Sequence, residues 1–212
     1  MRVLSVNLAQ ARSIEYRGET HQTGIFKVPT NDPAALTRMG VGGDRVCDLL
    51  NHGGVDKAVY AFAIDHYEHW RSALDKPGLG PGAFGENLTM AGLDEAAICV
   101  GDRLTVGSAL LEVSQPRVPC FKLGVALGDE RAPGLFTRHF HTGVYFRVLR
   151  EGEVSAGDDA QISHRHPEKI SVHSLFRAFY DRDYPDREAL MTRARALPEL
   201  AREWQGKLRT RR

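Results

Sequence analysis

Cys120 stands in the stretch SQPRVPCFKL, residues 114–123, directly after Pro119, with Arg117 three residues before it and Lys122 two after. A cysteine acts as a nucleophile or metal ligand through its thiolate, and nearby cations or a helix N-terminus lower its pKa. Pro116 and Pro119 fix φ at two points and push Val118 toward extended geometry, so the sulfur is delivered on a stiff segment. Cys47 and Cys99 lie among apolar neighbours, in VCDLL and AAICV, and read as inert buried thiols.

Two other segments carry groups of the same kind. NHGGVDKAV, residues 51–59, places His52, Gly53, Gly54, Asp56 and Lys57 just before a β-prone run. Its glycines let the backbone approach a ligand closely, and Lys57 is available to a phosphate or an anionic ring oxygen. The GxxxxGK spacing of a P-loop is absent. FGENLT, residues 84–89, follows Gly85 with Glu86 and Asn87, an acceptor and an amide ahead of a strand. His139 with His141, and His164 with His166, form two HxH pairs. No third zinc ligand stands at a recognised spacing, so these read as solvated or core-edge histidines. There is no GxSxG elbow to suggest a serine nucleophile.

The elements that must position these groups are mostly strands. Up to about residue 163 the chain shows short β-prone runs punctuated by Gly, Asp and Pro, the pattern of a compact all-β barrel or sandwich. RVLSVNLA opens it, residues 13–28 read as a hairpin turning through RGETHQT, and KAVYAFAI, GENLTM, RLTVG, ALLEVS and GVYFRVL supply further strands. Asp65 is placed to cap a helix HYEHWRSAL, and FKLGVAL begins a shorter one at Cys120. After His166-Pro167 the apolar period becomes helical. Ser171 caps the first of three short amphipathic helices, the second starts at Pro185-Asp186, and the third starts at Pro198 with the stripe Leu197, Leu200, Ala201, Trp204 and Leu208.

The bulk numbers bound what such a chain can be. Its 212 residues, 42% hydrophobic and 26% charged, are those of an ordinary globular protein with one main core. No apolar run reaches the ~20 residues of a membrane span, and the start MRVLSVNLAQ lacks the apolar block of a secretory signal. Three cysteines fit neither a disulfide framework nor a CxxC clamp, which points to a reducing cytoplasm. Residues 165–212 hold twelve Lys or Arg against seven Asp or Glu, a formal +5 in a chain of net +1. A basic helical tail of that size reads as a solvated face more readily than as a nucleic-acid contact.

GVGGD, HGGVDKA, FGENLT, VGDRL, SQPRVPCFKL and GVYFRVL with GEVSAGD, taken in order, resemble the MOSC family, named for the C-terminal domain of molybdenum-cofactor sulfurase. They are most similar to its stand-alone YiiM-like branch, linked to resistance against hydroxylaminopurines. The resemblance implies a MOSC-type β-barrel over residues 1–165 and a three-helix extension over residues 166–212. It implies a pterin-bound molybdenum cofactor whose protein ligand is Cys120. It also implies two-electron reduction of N-hydroxylated compounds such as hydroxylaminopurines and amidoximes, with electrons from a separate flavoprotein. Cofactor contacts are then expected from His52, Gly53, Gly54, Asp56, Lys57, Gly85, Glu86, Asn87, Ser114, Arg117 and Lys122. On this reading Arg117 and Lys122 keep the Cys120 thiol ionised, Lys57 and Arg117 hold phosphate and pterin oxygens, and a homo-oligomer is compatible with the sequence. Val144 stands where the family pattern leads one to expect an aromatic start to the strand, and is expected at the pocket rim. Two other readings remain open: Cys120 as carrier of a persulfide, and a non-enzymatic module that binds nucleic acid through the basic tail.

Overall fold

The computed structural model describes residues 1–210, apart from the side chains of Leu50 and Asn51. In chain order its elements are strands β1 (Arg2–Leu8), β2 (Arg12–Tyr16), β3 (Glu19–Thr23), β4 (Val28–Thr30), β5 (Ala34–Thr37) and β6 (Gly40–Val41), then a one-turn helix α1 (Leu49–His52). Next come β7 (Val59–Ala63), α2 (Tyr67–Ala73), β8 (Leu88–Ala91), β9 (Arg103–Val106), β10 (Ala109–Pro116), α3 (Phe121–Leu127), α4 (Ala132–His139), β11 (Val144–Arg150), β12 (Gly152–Val154) and β13 (Ala160–His164). Helices α5 (Val172–Tyr180), α6 (Arg187–Arg195) and α7 (Arg202–Thr210) end the described chain.

Eight strands form one mixed sheet in the order β13-β9-β10-β11-β7-β8-β1-β4, antiparallel except for the β7-β8 pair. The strand ladder is open, where a closed barrel is expected from the sequence. The start of β1, next to the edge strand β4, is nonetheless stitched to the start of the opposite edge strand β13 by backbone hydrogen bonds from Val3 N–H to Asp158 O (2.9 Å), Gly157 N–H to Val3 O (2.8 Å) and Ala160 N–H to Met1 O (2.9 Å). A small sheet β12-β5-β6 and the β2-β3 hairpin complete the strands.

β7 explains why the architecture has two layers. All five of its residues are buried. Val59, Ala61 and Ala63 enter the core inside the sheet, whereas Tyr60 and Phe62 join an aromatic layer on the opposite face, beneath α2, α3 and α4. Successive side chains of a strand point to opposite faces, so a strand covered on both sides reads as continuously apolar. Trp70 of α2 stacks on Phe136 of α4 within that layer, centroids 3.9 Å apart. A third core joins α5, α6 and α7 with Val100, and the expected tail stripe Leu197, Leu200, Trp204 and Leu208 lies in it. Burial of such stripes is what holds helices of nine residues, too short to persist alone.

Several local expectations are corrected. The β2-β3 turn is only Arg17-Gly18, both at positive φ (53° and 83°), and the polar run ETHQT is the return strand. A two-residue turn of this kind matches the twist of the strands it joins. Asp65 does not cap α2. Its carboxylate accepts from Gly92 N–H instead, and His66 occupies the cap position. Ser171 does cap α5, accepting from Ser174 N–H at 3.0 Å. The third tail helix begins at Arg202, four residues after Pro198, and α4 appears where no helix is expected. Val144 is fully buried in the sheet interior and pairs with Ala61 and Pro116, so it is a core residue and not part of a pocket rim.

Candidate functional site

α3 begins immediately after Cys120, which holds the extended cap conformation (φ −128°, ψ 174°). The last residues of β10 and the two prolines therefore bring Cys120 to the foot of a cleft of about 620 Å³, its open mouth included. The cleft is lined by Cys120, His52, Lys57, Gly85, Asn87, Arg117 and Lys122 of the expected set, and by Lys27, Asp44, Arg45, Cys47, Asp48, Tyr60 and Tyr145 besides. Segments from residues 23 to 145 thus converge on one sulfur.

The first neighbours of that sulfur form a relay. His52 Nε2 lies 3.2 Å from Cys120 Sγ, and His52 Nδ1 lies 3.1 Å from Asp48 Oδ2. Asp48 and His52 face the same way because α1 closes one helical turn between them, His52 N–H donating to Asp48 O at 2.8 Å. With Nδ1–H donating to the Asp48 carboxylate, Nε2 accepts from the Cys120 thiol; on transfer of the thiol proton to Nε2 the imidazolium donates to the thiolate. Burial works against the thiolate, but the His52 hydrogen bond and charge, the Arg117 charge and the Lys122 backbone N–H outweigh it and bring the Cys120 pKa down to about 7. The contribution expected of the Lys122 ammonium is corrected here. That ammonium is turned to Asp48 Oδ2 at 3.5 Å, and Lys122 acts on the sulfur through its backbone.

Arg117 is 5% exposed, with its guanidinium over the Tyr60 ring at 5.2 Å and its Nη1 buried without a hydrogen-bond partner among the described residues. A buried guanidinium nitrogen left unpaired is costly. Its position in the cleft wall marks the place for an anionic or carbonyl oxygen of a ligand. Five cationic side chains line the cleft, Lys27, Arg45, Lys57, Arg117 and Lys122, against the two carboxylates Asp44 and Asp48. Lys27 is paired with Asp44 and Lys57 with Glu203 of α7. The second pair, with Trp204 Nε1 donating to Pro116 O (3.2 Å) and Ala201 N–H to Ser114 O (3.0 Å), clamps the tail helices onto the back of the site.

Five expected contacts lie outside the cleft lining, and each has a positional reason. Glu86 is fully buried and accepts from Gly82 N–H (2.8 Å), Phe84 N–H (3.1 Å), Thr89 Oγ1 (2.7 Å) and the Tyr67 hydroxyl, so it fastens the FGEN loop. Asp56 is held by Arg147 Nη2 at 2.6 Å, and Ser114 donates to Tyr145 O at 2.9 Å and to Asp56 O. Gly53 packs against Leu49, and Gly54 (φ 89°) supplies the turn before Lys57. Asn87 lines the cleft, but its amide already donates to Asp44 Oδ2 (2.9 Å) and its oxygen accepts from Tyr60 N–H (3.2 Å). Gly85 is required by its φ of 79° and by Ile25 Cγ1, 2.9 Å from where a Cβ would sit. Cys47, read from its neighbours as an inert buried thiol, is only half-buried and lines the cleft; Cys99 is buried, and burial raises its pKa. Asp48 was missed in the sequence, where its i,i+4 spacing from His52 was the one available signal, whereas Lys27, Tyr60 and Tyr145 leave no local signal.

Residues 48–161, more than half the chain, match the family model of the MOSC domain. The chain belongs to the MOSC domain family. Among the MOSC relatives, protein YflK of Bacillus subtilis (strain 168) is 41% identical over 199 residues, covering 94% of this chain and 88% of that one. A protein named reductase from Gibberella moniliformis is 35% identical over 76% of this chain, which spans only 29% of that protein's length. The crystal structure of YiiM from Geobacillus stearothermophilus superposes with a TM-score of 0.82 at 29% identity, covering 98% of this chain and 97% of that one. The fold is YiiM-like over 98% of the chain.

Proposed function

We propose that the cleft holds a molybdenum cofactor with Cys120 Sγ as the metal's protein ligand, and that the protein reduces N-hydroxylated compounds. The observation that carries this reading is the pairing of an ionisable sulfur in the cleft lining with a buried Arg117 in its wall, whose Nη1 has no hydrogen-bond partner among the described residues. A soft thiolate suits a molybdenum centre, and a cationic wall suits the oxygens and phosphate of its pterin. The residues present fit the group. Cys120 would hold the metal, Arg117 with Lys57 and Lys122 the anionic oxygens, and the Tyr60 and Tyr145 rings would flank them.

When bound, the cofactor supplies two-electron oxygen-atom transfer from an N–OH group. The chain's own share is positional and electrostatic. His52, oriented by Asp48, holds the proton of the Cys120 thiol and leaves the sulfur free to ligate. The excess of cations over carboxylates draws in anionic groups. Electrons come from a separate flavoprotein, and a reducing cytoplasm keeps Cys47, Cys99 and Cys120 as thiols. The Gibberella relative named a reductase is consistent with such chemistry.

The test is production in a host with intact molybdenum-cofactor synthesis, followed by metal analysis and assay of hydroxylaminopurine and amidoxime reduction with a reconstituted flavoprotein chain. Wild type is expected to carry molybdenum and turn over, and Cys120→Ala to do neither. A Cys120→Ser or Cys120→Ala protein with wild-type molybdenum content would overturn the assignment. The His52–Cys120 contact also suits a persulfide carrier. That reading predicts cyanide-labile sulfur on Cys120 in protein that carries no molybdenum.

A further inference from the structure

At another edge of the aromatic layer that backs the cleft, against Phe62 and Trp70, five imidazoles meet although they come from four separate segments. His66 ends the 3-10 turn after β7, His69 lies in α2, His139 and His141 flank the end of α4, and His173 lies in the first turn of α5. His69 stacks on His139 (centroids 4.1 Å), His66 lies 4.4 Å from His141, and His141 stacks on His173 (4.6 Å). Phe140 takes a left-handed backbone (φ 64°), turning the chain between His139 and His141. Within this group the ligand atoms of His66, His141 and Glu95 all lie within 4.8 Å of one another.

We propose that His66, His141 and Glu95 bind one divalent transition-metal ion, at a site separate from the Cys120 cleft. Glu95 is 1% exposed, yet no Lys or Arg among the described residues pairs with it. Its nearest basic atom is His141 Nδ1, at 4.0 Å. A buried carboxylate normally has a cation as partner. Each Glu95 oxygen accepts one backbone N–H, Oε2 from Thr142 and Oε1 from Gly143, both at 3.1 Å. Two donors fix the carboxylate and leave further lone pairs, as the supporting hydrogen bonds of a metal ligand do. His141 Nδ1 is buried and makes no hydrogen bond to any described residue.

Burial lowers the His66 and His141 pKa values to about 4 and pushes the Glu95 carboxyl up to about 8, so a bound cation must displace the Glu95 proton. Asp65 and Asp94 add negative potential close by, opposed by Arg177 beside His173. Around a tetrahedral ion with bonds of ~2.1 Å the ligand atoms stand ~3.4 Å apart, so from separations of up to 4.8 Å closing the set needs the widest pair to approach by up to about 1.4 Å. Two imidazoles and one carboxylate suit Zn²⁺ or Fe²⁺ better than Ca²⁺ or Mg²⁺.

The test is titration of chelator-treated protein with Zn²⁺ by calorimetry, with bound metal counted after gel filtration. One Zn²⁺ is expected to bind wild type and Cys120→Ala alike. His66→Ala, His141→Ala and Glu95→Gln should each weaken it roughly 100-fold or more, since even loss of a partner behind a ligand costs 10–100-fold. His69→Ala is expected to keep it. Co²⁺ should give ligand-field bands with no sulfur charge-transfer band in wild type. Should a ligand variant fail to fold by circular dichroism, the Co²⁺ spectrum and the Zn²⁺-induced rise in wild-type melting temperature decide. Zn²⁺ lost in Cys120→Ala and kept in His141→Ala, a sulfur band on Co²⁺, or no Zn²⁺ binding at micromolar concentration would each overturn the proposal.

Discussion

The Cys120 cleft and the histidine cluster are built against the same strands, and they differ in the sign of what they leave unmatched. In the cleft a buried guanidinium nitrogen, Arg117 Nη1, has no acceptor among the described residues. In the cluster a buried carboxylate, Glu95, has no Lys or Arg among the described residues. Burial penalises an uncompensated charge of either sign, and it pushes the Glu95 carboxyl up to about 8; on the proposals made above, anionic oxygens would relieve the first site and a metal cation the second. A two-residue hinge separates them. Thr142 and Gly143 donate both backbone N–H groups to Glu95, while Thr142 Oγ1 donates to Arg117 O (2.7 Å) and Arg117 N–H to Gly143 O (3.1 Å).

The largest effect that can break this comparison is reciprocal loss. Cys120→Ala should reduce molybdenum content and N-hydroxyl reduction by about 100-fold or more while Zn²⁺ binding persists. His141→Ala should do the opposite to Zn²⁺ and leave Cys120 alkylation unchanged. Metal analysis and iodoacetamide kinetics on both variants check the pair, and a variant that abolished both properties would show one site where two are claimed.

Next in size is the wall of the cleft. Glu86→Ala strands four donors in a fully buried place, and a loss of at least about 3 kcal/mol of unfolding free energy is expected in urea. Tyr67→Phe removes only one of the four and should cost about 1 kcal/mol.

The third effect sharpens the electrostatic contrast. Alkylation of Cys120 in metal-free protein should follow a titration centred near pH 7. The sign follows from the cause. His52 stabilises the thiolate, so its removal raises the pKa toward that of an ordinary thiol, and His52→Ala should react about 10-fold more slowly at pH 7. A profile unmoved by the substitution would mean that His52 does not set the thiol's ionisation.

The smallest effect concerns the hinge. Thr142→Val removes one hydrogen bond to the Arg117 carbonyl and should cost about 1 kcal/mol of stability, measured by thermal unfolding. Both binding properties are expected to survive it.

Much of the cleft was legible because its parts are local. The prolines around Cys120 and the glycines of residues 52–58 encode backbone shape directly, and the tail's helical stripe is a periodicity any packing partner would bury. The positions of Asp56, Glu86 and Ser114 show where local reading stops. Polar residues in a loop look alike whether they face a ligand or fasten the loop from behind, and only the partners, Arg147 for one and Tyr67 for another, tell them apart.

The sequence by itself determined the MOSC family, the strand-rich body and the helical tail, and it singled out Cys120 as the candidate ligand, because motifs and periods are properties of neighbouring residues. Tertiary structure alone decided that the strand ladder stays open, that Asp48 and His52 stand behind the sulfur, and that Glu203 reaches Lys57 from 146 residues away. It also decided the histidine cluster. HxH at residues 139–141 lacks a third ligand in sequence, and His66 and Glu95 complete the set only because β7 and β8 lie side by side in the sheet.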